Sequence, residues 1–412
     1  MDQKTANERL CYFLRAEADS TEARKLESLS PPDWDDIIQR SIKHKVSPLL
    51  YHRLKSRYSD EGIPDNVASR LRDICLHSIA RNVRLYHGLS KALSGLRNDD
   101  IPVIVLKGAH LAEVVYSNIA LRLMTDIDLL IKKADLSKAG KKLLGMGYVQ
   151  SGNSCVTQSH LAPYTKPGGV SIEVHPVIEI LTSPFKIDVD GLWERARPAM
   201  IAGVKVMVLS PEDLMMHICI HASYHHYFTM GLRPFCDISE ILRCYRNEID
   251  WAQVQNRARQ WGAGKCVYLA LYIAKDLLDA AVPDTVLDVL KPDDLDPGII
   301  MRVREQIFTD QAMDANVRIA SPLGRMWGAD RLRDKVDVCL KNAFLSPRAL
   351  KKMYPVSPFS KWIYLYYPLR LKYLLRRHGR TAWRLLRRDK KITASAEQQS
   401  KRNDLSDWLS SS

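Results

Sequence analysis

The stretch IPVIVLKGAHLAEVVYSNIALRLMTDIDLLI, from Ile101 to Ile131, constrains the fold more than any other part of the chain. Ile101–Leu106 is a continuous apolar run, the pattern of a strand buried on both faces, and it stops at Lys107-Gly108. A helical pattern follows over Ala109–Tyr116, and a second strand, Asp126–Ile131, carries two aspartates. Residues two apart on a strand project from one face, so Asp126 and Asp128 make a hard, oxygen-rich site of the kind Mg²⁺ takes beside phosphates. A strand end with two solvated acids has the same spelling, so the pair alone decides nothing.

Downstream, Asp135–Met146 reads as a helix capped by Asp135 and ended near Gly147, and Tyr148–Gln150 as the start of a third strand. Pro163–Gly169 reads as a turn, and Lys205–Leu209 as a last short strand. Between them VSIEVH alternates: Ile172 and Val174 face one way, Glu173 and His175 the other. Together these pieces predict a small mixed sheet with helices, ending near Ser210.

Both flanks read as helical. Leu10, Phe13 and Leu14 form one apolar face, Ser30-Pro31-Pro32-Asp33 is a helix start, and Val67–Leu96 holds a longer pattern. Ser210-Pro211-Glu212-Asp213 starts a helix bearing His217, His221 and His225, and Phe235–Tyr245, Trp251–Trp261, Lys265–Leu278 and Arg331–Phe344 make others. Pro283–Pro297 reads as a loop, Pro347–Pro358 as a linker and Thr393–Ser412 as disordered. The predicted class is α+β, a small mixed β-sheet core flanked by N-terminal and C-terminal helical regions. The expected boundaries are 1–98 (helical), 99–210 (core), 211–345 (helical) and 346–412 (linker, basic amphipathic segment and disordered tail).

Charge is uneven. The chain carries +14, yet residues 361–391 hold eleven Lys or Arg against one acid, Asp389. A body so nearly balanced makes a nucleic-acid partner unlikely, since such binders spread or stripe charge over a domain face. The start, MDQKTANERL, has no apolar core, and no run reaches the roughly 18 apolar residues of a membrane span. Eight scattered cysteines without a C-x-x-C pair fit reduced thiols, so a cytoplasmic location is expected, with peripheral membrane contact through 361–391 as an option.

If the strands bearing Asp126, Asp128 and Glu173 are neighbours, three carboxylates converge, enough for one or two divalent ions that bridge phosphate oxygens. Gly108 permits close backbone approach to a phosphate, and the helix N-terminus there favours an anion. Arg122 either clamps a phosphate or pairs with an acid; His175 either binds the metal or supports a ligand. His217, His221, His225 and the adjacent His226 line a polar cleft, pack against the sheet or, with a third ligand such as Asp237, bind zinc. If that helix faces the acids, His221 and His225 can contact nucleotide or acceptor. Asp237 itself reads best as a salt-bridge partner.

The ordered pieces VIVLKGAHLAEVVY, LRLMTDIDLLIKKADLSKAGKKLLGMGY, SIEVHP, LSPEDLMMHICIHASYHH and RPFCDISEILRCYRNEIDW resemble the uncharacterised nucleotidyltransferase family of the DNA polymerase β-like superfamily. They run from about residue 100 to about 260. The resemblance implies two-metal transfer of an NMP group from an NTP such as ATP. Asp126, Asp128 and Glu173 would be catalytic residues and ligands of Mg²⁺ or Mn²⁺; Lys107, Gly108, Arg122, His221 and His225 are the nucleotide contacts expected from the residue readings above. Well-studied superfamily members carry Gly-Ser in the phosphate turn where this chain has Lys107-Gly108, which leaves that turn's role open.

Two alternatives use the same residues. A glycosyltransferase can hold a nucleotide sugar through D-x-D and a metal, although only one strand precedes the motif here. A non-catalytic protein would instead use its basic segment, whose Leu and aromatic residues give an amphipathic helix suited to an anionic membrane, nucleic acid or the protein's own body. The acceptor can be a small molecule, peptide, saccharide or protein.

Overall fold

The structure, a computed structural model, describes residues 1–17, 29–58, 63–150, 161–166, 170–178, 183–309, 321–328, 331–346, 350, 361–387 and 389–411. The linker expected over 347–358 lies almost wholly outside them, as does the end of the 163–169 turn. The chain divides into two compact units, Met1–Phe308 and Thr309–Ser411.

In the first unit, seven short strands form one mixed sheet. They are β1 (Ile104–Val105), β2 (Ile127–Leu130), β3 (Val149–Gln150), β4 (Tyr164–Thr165), β5 (Ile172–His175), β6 (Arg197–Ile201) and β7 (Val204–Val208), ordered β3-β4-β5-β2-β1-β7-β6. The β2–β5 and β1–β7 pairs are parallel, and the others antiparallel. A mixed sheet between helical regions is the class the sequence predicts.

Period-2 alternation assigns the faces. Ile127 and Leu129 of β2, with Ile172 and Val174 of β5, are fully buried in a core built on Leu85, Leu89, Leu93 and Leu96. Those leucines belong to the 34-residue helix Asp65–Asn98, which covers that side of the sheet. Each buried leucine stabilises by about 1.5–3 kcal/mol, so Leu89→Ala would cost about 2–5 kcal/mol. The helix reaches the sheet closely because Gly88 has no side chain: a Cβ there would lie 2.6 Å from Val170 Cγ2.

The opposite face, bearing Asp128, Glu173 and His175, is covered by the helix Pro211–Ile220, every residue of which is buried. Ser210 Oγ accepts from the Asp213 amide at 3.2 Å and Pro211 fills the first position, as the start signal requires. Asp213 is then fixed by Arg195 Nε (2.9 Å) and Arg257 Nη1 (3.0 Å). After Ile220 the helix widens into a π-turn, His221–His225.

Several local expectations are corrected. Asp135 makes no side-chain cap on the helix Leu136–Gly145. The presumed loop 283–297 contains the helix Asp284–Leu290, which buries Val286 and Leu287. The helix expected over 109–116 begins instead at Lys107 and passes into a π-turn, Leu111–Val115.

The second unit is helical: Ser321–Gly328, Leu332–Ala343, Tyr366–Leu386 and Lys390–Ser410. Leu385, Ile392 and Ala396 form a small core with Leu323 and Trp327. The tail expected to be disordered from Thr393 is therefore helical through Ser410, because Ile392, Ala396, Leu405 and Leu409 give it an apolar seam to bury.

Candidate active site

The parallel register of β2 and β5 places Asp128 directly beside Glu173, and Leu130 beside His175. Because Asp128, Glu173 and His175 all point away from the leucine core, their side chains meet. One ligand atom from each lies within 4.8 Å of the others, a spacing that suits a single cation. Asp128 and His175 are buried, while Glu173 is partly open to solvent.

Asp128 Oδ1 accepts two contacts: His175 Nε2 at 2.8 Å and Lys107 Nζ at 3.1 Å. Burial alone would raise the Asp128 carboxyl, but the Lys107 charge and the His175 hydrogen bond outweigh it and hold the group well below the ordinary carboxylate range. Asp128 is therefore ionised and ready to ligate. His175, left between two roles by the sequence, orients the carboxylate in this arrangement.

Lys107 reaches Asp128 from a backbone with φ +40°, in the left-handed region. Glycine adopts that conformation freely, whereas a lysine pays about 1–2 kcal/mol. Gly108 follows, and a Cβ there would sit 3.1 Å from Arg122 Nη1 and 3.4 Å from the Met124 side chain. Gly108 thus makes room for the 122–124 segment.

Arg122 is buried and forms a two-pronged pair with Asp237, Nε to Oδ1 at 2.7 Å and Nη2 to Oδ2 at 2.8 Å. Tyr116 donates its hydroxyl to the same Oδ1 at 2.8 Å. Of the two roles left open for Arg122, the acid pair is the one observed. Asp237 is the salt-bridge partner expected of it, and these contacts commit its carboxylate away from any histidine-bound zinc.

Asp126 stands just ahead of β2, half-buried, hydrogen-bonded by Thr125 Oγ1 at 3.0 Å, and outside the close Asp128–Glu173–His175 set. Its electrostatic neighbours are cations that sequence reading missed: Lys45 and Arg233 both feel its charge, and Lys45 also feels Arg81. Arg81 Nε donates to the Met124 carbonyl at 2.8 Å, and Arg233 Nη1 to the Leu123 carbonyl at 3.4 Å. Lys45 comes from the turn between helices Pro31–Lys43 and Ser47–Arg57, at φ +58°. That turn abuts Gly231, where any Cβ would clash with the His44 ring. Residues 45, 81 and 233 are far apart in sequence and share no motif, so only the fold could reveal them.

The histidines cluster as expected. Ring centroids lie 6.1 Å apart for His217–His221, 5.3 Å for His221–His225 and 4.5 Å for His221–His226. His217 is 1% exposed, and neither ring nitrogen has a partner among the described residues. Burial, reinforced by the Lys107 charge, holds His217 and His221 well below the usual imidazole value and His226 down to about 3. They are neutral at pH 7, each able to accept a hydrogen bond.

Beside this end of the sheet runs a groove of about 1330 Å³ whose walls include Arg81, Arg84, Lys91, Lys166, Thr125 and Ser171, with no carboxylate among the described lining residues.

Asp128, Glu173 and His175 together form a group of oxygen and nitrogen donors close enough to hold one metal ion. No curated protein matches the chain. Among solved structures it matches one titled "Solution Structure of Antibiotic-Resistance Factor ANT(2'')-Ia Reveals Substrate-Regulated Conformation Dynamics", at 16% identity over 46% of this chain and 96% of that one. The TM-score is 0.32, too low for that likeness to bear on fold or function. The family model described as uncharacterised nucleotidyltransferase matches residues 30–279, more than half the chain and the whole of the site just described. The chain belongs to this nucleotidyltransferase family and is a transferase of that kind.

Proposed function

We propose that the protein moves an NMP group from an NTP to an acceptor hydroxyl or comparable nucleophile, with Asp126, Asp128 and Glu173 as its functional carboxylates. The observation that carries this reading is the side-by-side register of Asp128 and Glu173, with His175 within ligating distance of both.

Asp128 and Glu173 would hold a divalent cation, Asp126 completing the carboxylate set from the mouth of β2, with His175 Nε2 hydrogen-bonded to Asp128 beside them. A cation bound there supplies charge neutralisation on the phosphate oxygens and lowers the pKa of the attacking hydroxyl. Lys107 and His175 keep Asp128 ionised and aimed. Lys45, Arg81 and Arg233, held against the 122–126 segment, attract the triphosphate, while Arg122 braces that segment through Asp237. His221, kept neutral by burial, and His225 hydrogen-bond nucleotide or acceptor. The acceptor oxygen bonds to the α-phosphorus as the bond to pyrophosphate breaks, the hydroxyl proton leaving to a nearby carboxylate or water. The carboxylate-free walls of the adjacent groove favour an acceptor bearing acidic groups.

The test is transfer of α-labelled NTP into products from a host lysate with Mg²⁺ or Mn²⁺. Asp128→Ala and Glu173→Ala should abolish label transfer with circular dichroism unchanged. Undiminished transfer sinks the assignment, and release of nucleoside diphosphate from a nucleotide sugar would favour a glycosyltransferase instead.

A further inference from the structure

The helix Tyr366–Leu386 is built inside out. On its inward side Arg370 donates to the Asn342 carbonyl from Nε (2.9 Å) and Nη2 (2.7 Å), Tyr367 Oη donates to Leu345 O at 2.6 Å, and Leu385 sits in the small core. The outward arc should therefore be polar. It is not: Leu369, Leu371 and Leu375 are 54%, 50% and 63% exposed, Trp383 is 53% exposed, and Trp362 and Tyr364 just ahead are more exposed still. Lys372, Arg376, Arg384 and Arg387 are exposed on the same helix, the Arg387 guanidinium lying 3.7 Å from the Trp383 ring centre.

The neighbouring helix Leu332–Ala343 exposes apolar residues as well. Val336, Leu340 and Phe344 are exposed at four-residue spacing, and Phe344 meets Tyr367 with ring centres 5.6 Å apart. Scattered exposed leucines are ordinary; three leucines and a tryptophan along the outward arc of a single helix mark a docking surface.

Charge identifies the occupant. Residues 361–391 carry eleven Lys or Arg and one acid. We propose that this face binds an anionic phospholipid surface, its leucines and tryptophans entering the headgroup boundary and its cations meeting lipid phosphates. Nucleic acid would use the cations and leave the leucines unexplained; a second copy of the chain would bring like charge against like. Among the described residues no helix is long and apolar enough to cross a membrane, so the helix lies on the surface. The site is independent of nucleotidyl transfer.

The experiment is co-sedimentation of the full chain with equimolar phosphatidylcholine–phosphatidylglycerol vesicles, with pure phosphatidylcholine vesicles as control. The anionic vesicles should bind at least about tenfold more strongly than the neutral ones, and less strongly as salt rises. Leu369→Gln with Leu371→Gln and Leu375→Gln keeps every charge and should lower binding about tenfold or more, with the circular dichroism of the parent. Lys372→Gln with Arg376→Gln should lower it separately. Three results overturn the proposal. They are no preference for anionic vesicles, binding indifferent to the leucine triple variant together with equal binding to duplex DNA, or self-association that the leucine variant abolishes without any vesicle binding.

Discussion

Lys107 Nζ sits 3.1 Å from Asp128 Oδ1, so its charge acts on the same carboxylate that would hold a divalent cation. The lysine supports this buried carboxylate in the cation-free protein, and its positive φ shows that the chain accepts local strain to deliver it. Ligation and the ion pair compete for one oxygen. Lys107→Met should therefore lower stability by about 2–4 kcal/mol without divalent ion, since it leaves a buried charge with only His175 as partner. Mn²⁺ should restore more of the melting temperature in the variant than in the parent. Equal melting curves with and without Mn²⁺ would mean that Asp128 is not a ligand.

The Arg122–Asp237 pair makes a different prediction, because both groups are buried. Arg122→Met strands the Asp237 carboxylate and should cost about 3–5 kcal/mol, while Arg122→Met with Asp237→Leu should recover most of it. If Arg122 instead served mainly to clamp phosphate, the single variant would fold normally and show only a raised KM.

Lys45 and Arg81 sit on surface-facing segments next to Asp126 and carry no core packing. Lys45→Ala with Arg81→Ala should raise the KM for NTP about tenfold, each lost phosphate contact being worth about 0.7 kcal/mol at exposed sites, with a smaller effect on kcat. A drop in kcat at unchanged KM would move these residues away from triphosphate binding. Gly231→Ala, which forces the His44 corner outward, should mimic the double variant and also cost about 1–3 kcal/mol.

The alternating β5 motif was fully legible: two apolar residues in the core, Glu173 and His175 on the other face. Asp128 and the Ser210-Pro211 helix start were equally plain, since period 2 and capping chemistry are local. Long-range information was not. The β6 strand, Arg197–Ile201, is mostly exposed and has no apolar alternation, and it exists because it pairs with β7 through the Ala202-Gly203 turn. Arg122 could not be assigned a partner because Asp237 lies 115 residues away. Asp126 and Asp128 look equivalent in a D-x-D, but the start of β2 separates them: one precedes the strand beside Lys45 and Arg233, the other is buried against Lys107.

The buried histidines fix the direction of the pH response. His110 is enclosed and held down to about 3 by burial, and His226 to about 3 by burial with the neighbouring His225, Lys107, Arg233 and Lys45 charges adding to it. A histidine whose folded value lies below its unfolded value of about 6.5 binds its proton more readily when unfolded, so it favours unfolding as pH falls below that value. The loss grows by up to about 1.4 kcal/mol per pH unit for each such group and saturates near pH 3. Asp128 acts at a different pH: its depressed value stabilises the fold above the ordinary carboxylate pKa of about 4, and that contribution fades only below it. Between pH 7 and 5 the chain should therefore lose stability through its buried histidines, an effect that Glu113, raised by burial, offsets in part at the acid end. His110→Leu fills the same buried site without a titrating group and should flatten the melting temperature over that interval. An unchanged slope in this variant would show that His110 finds a proton partner in the folded chain.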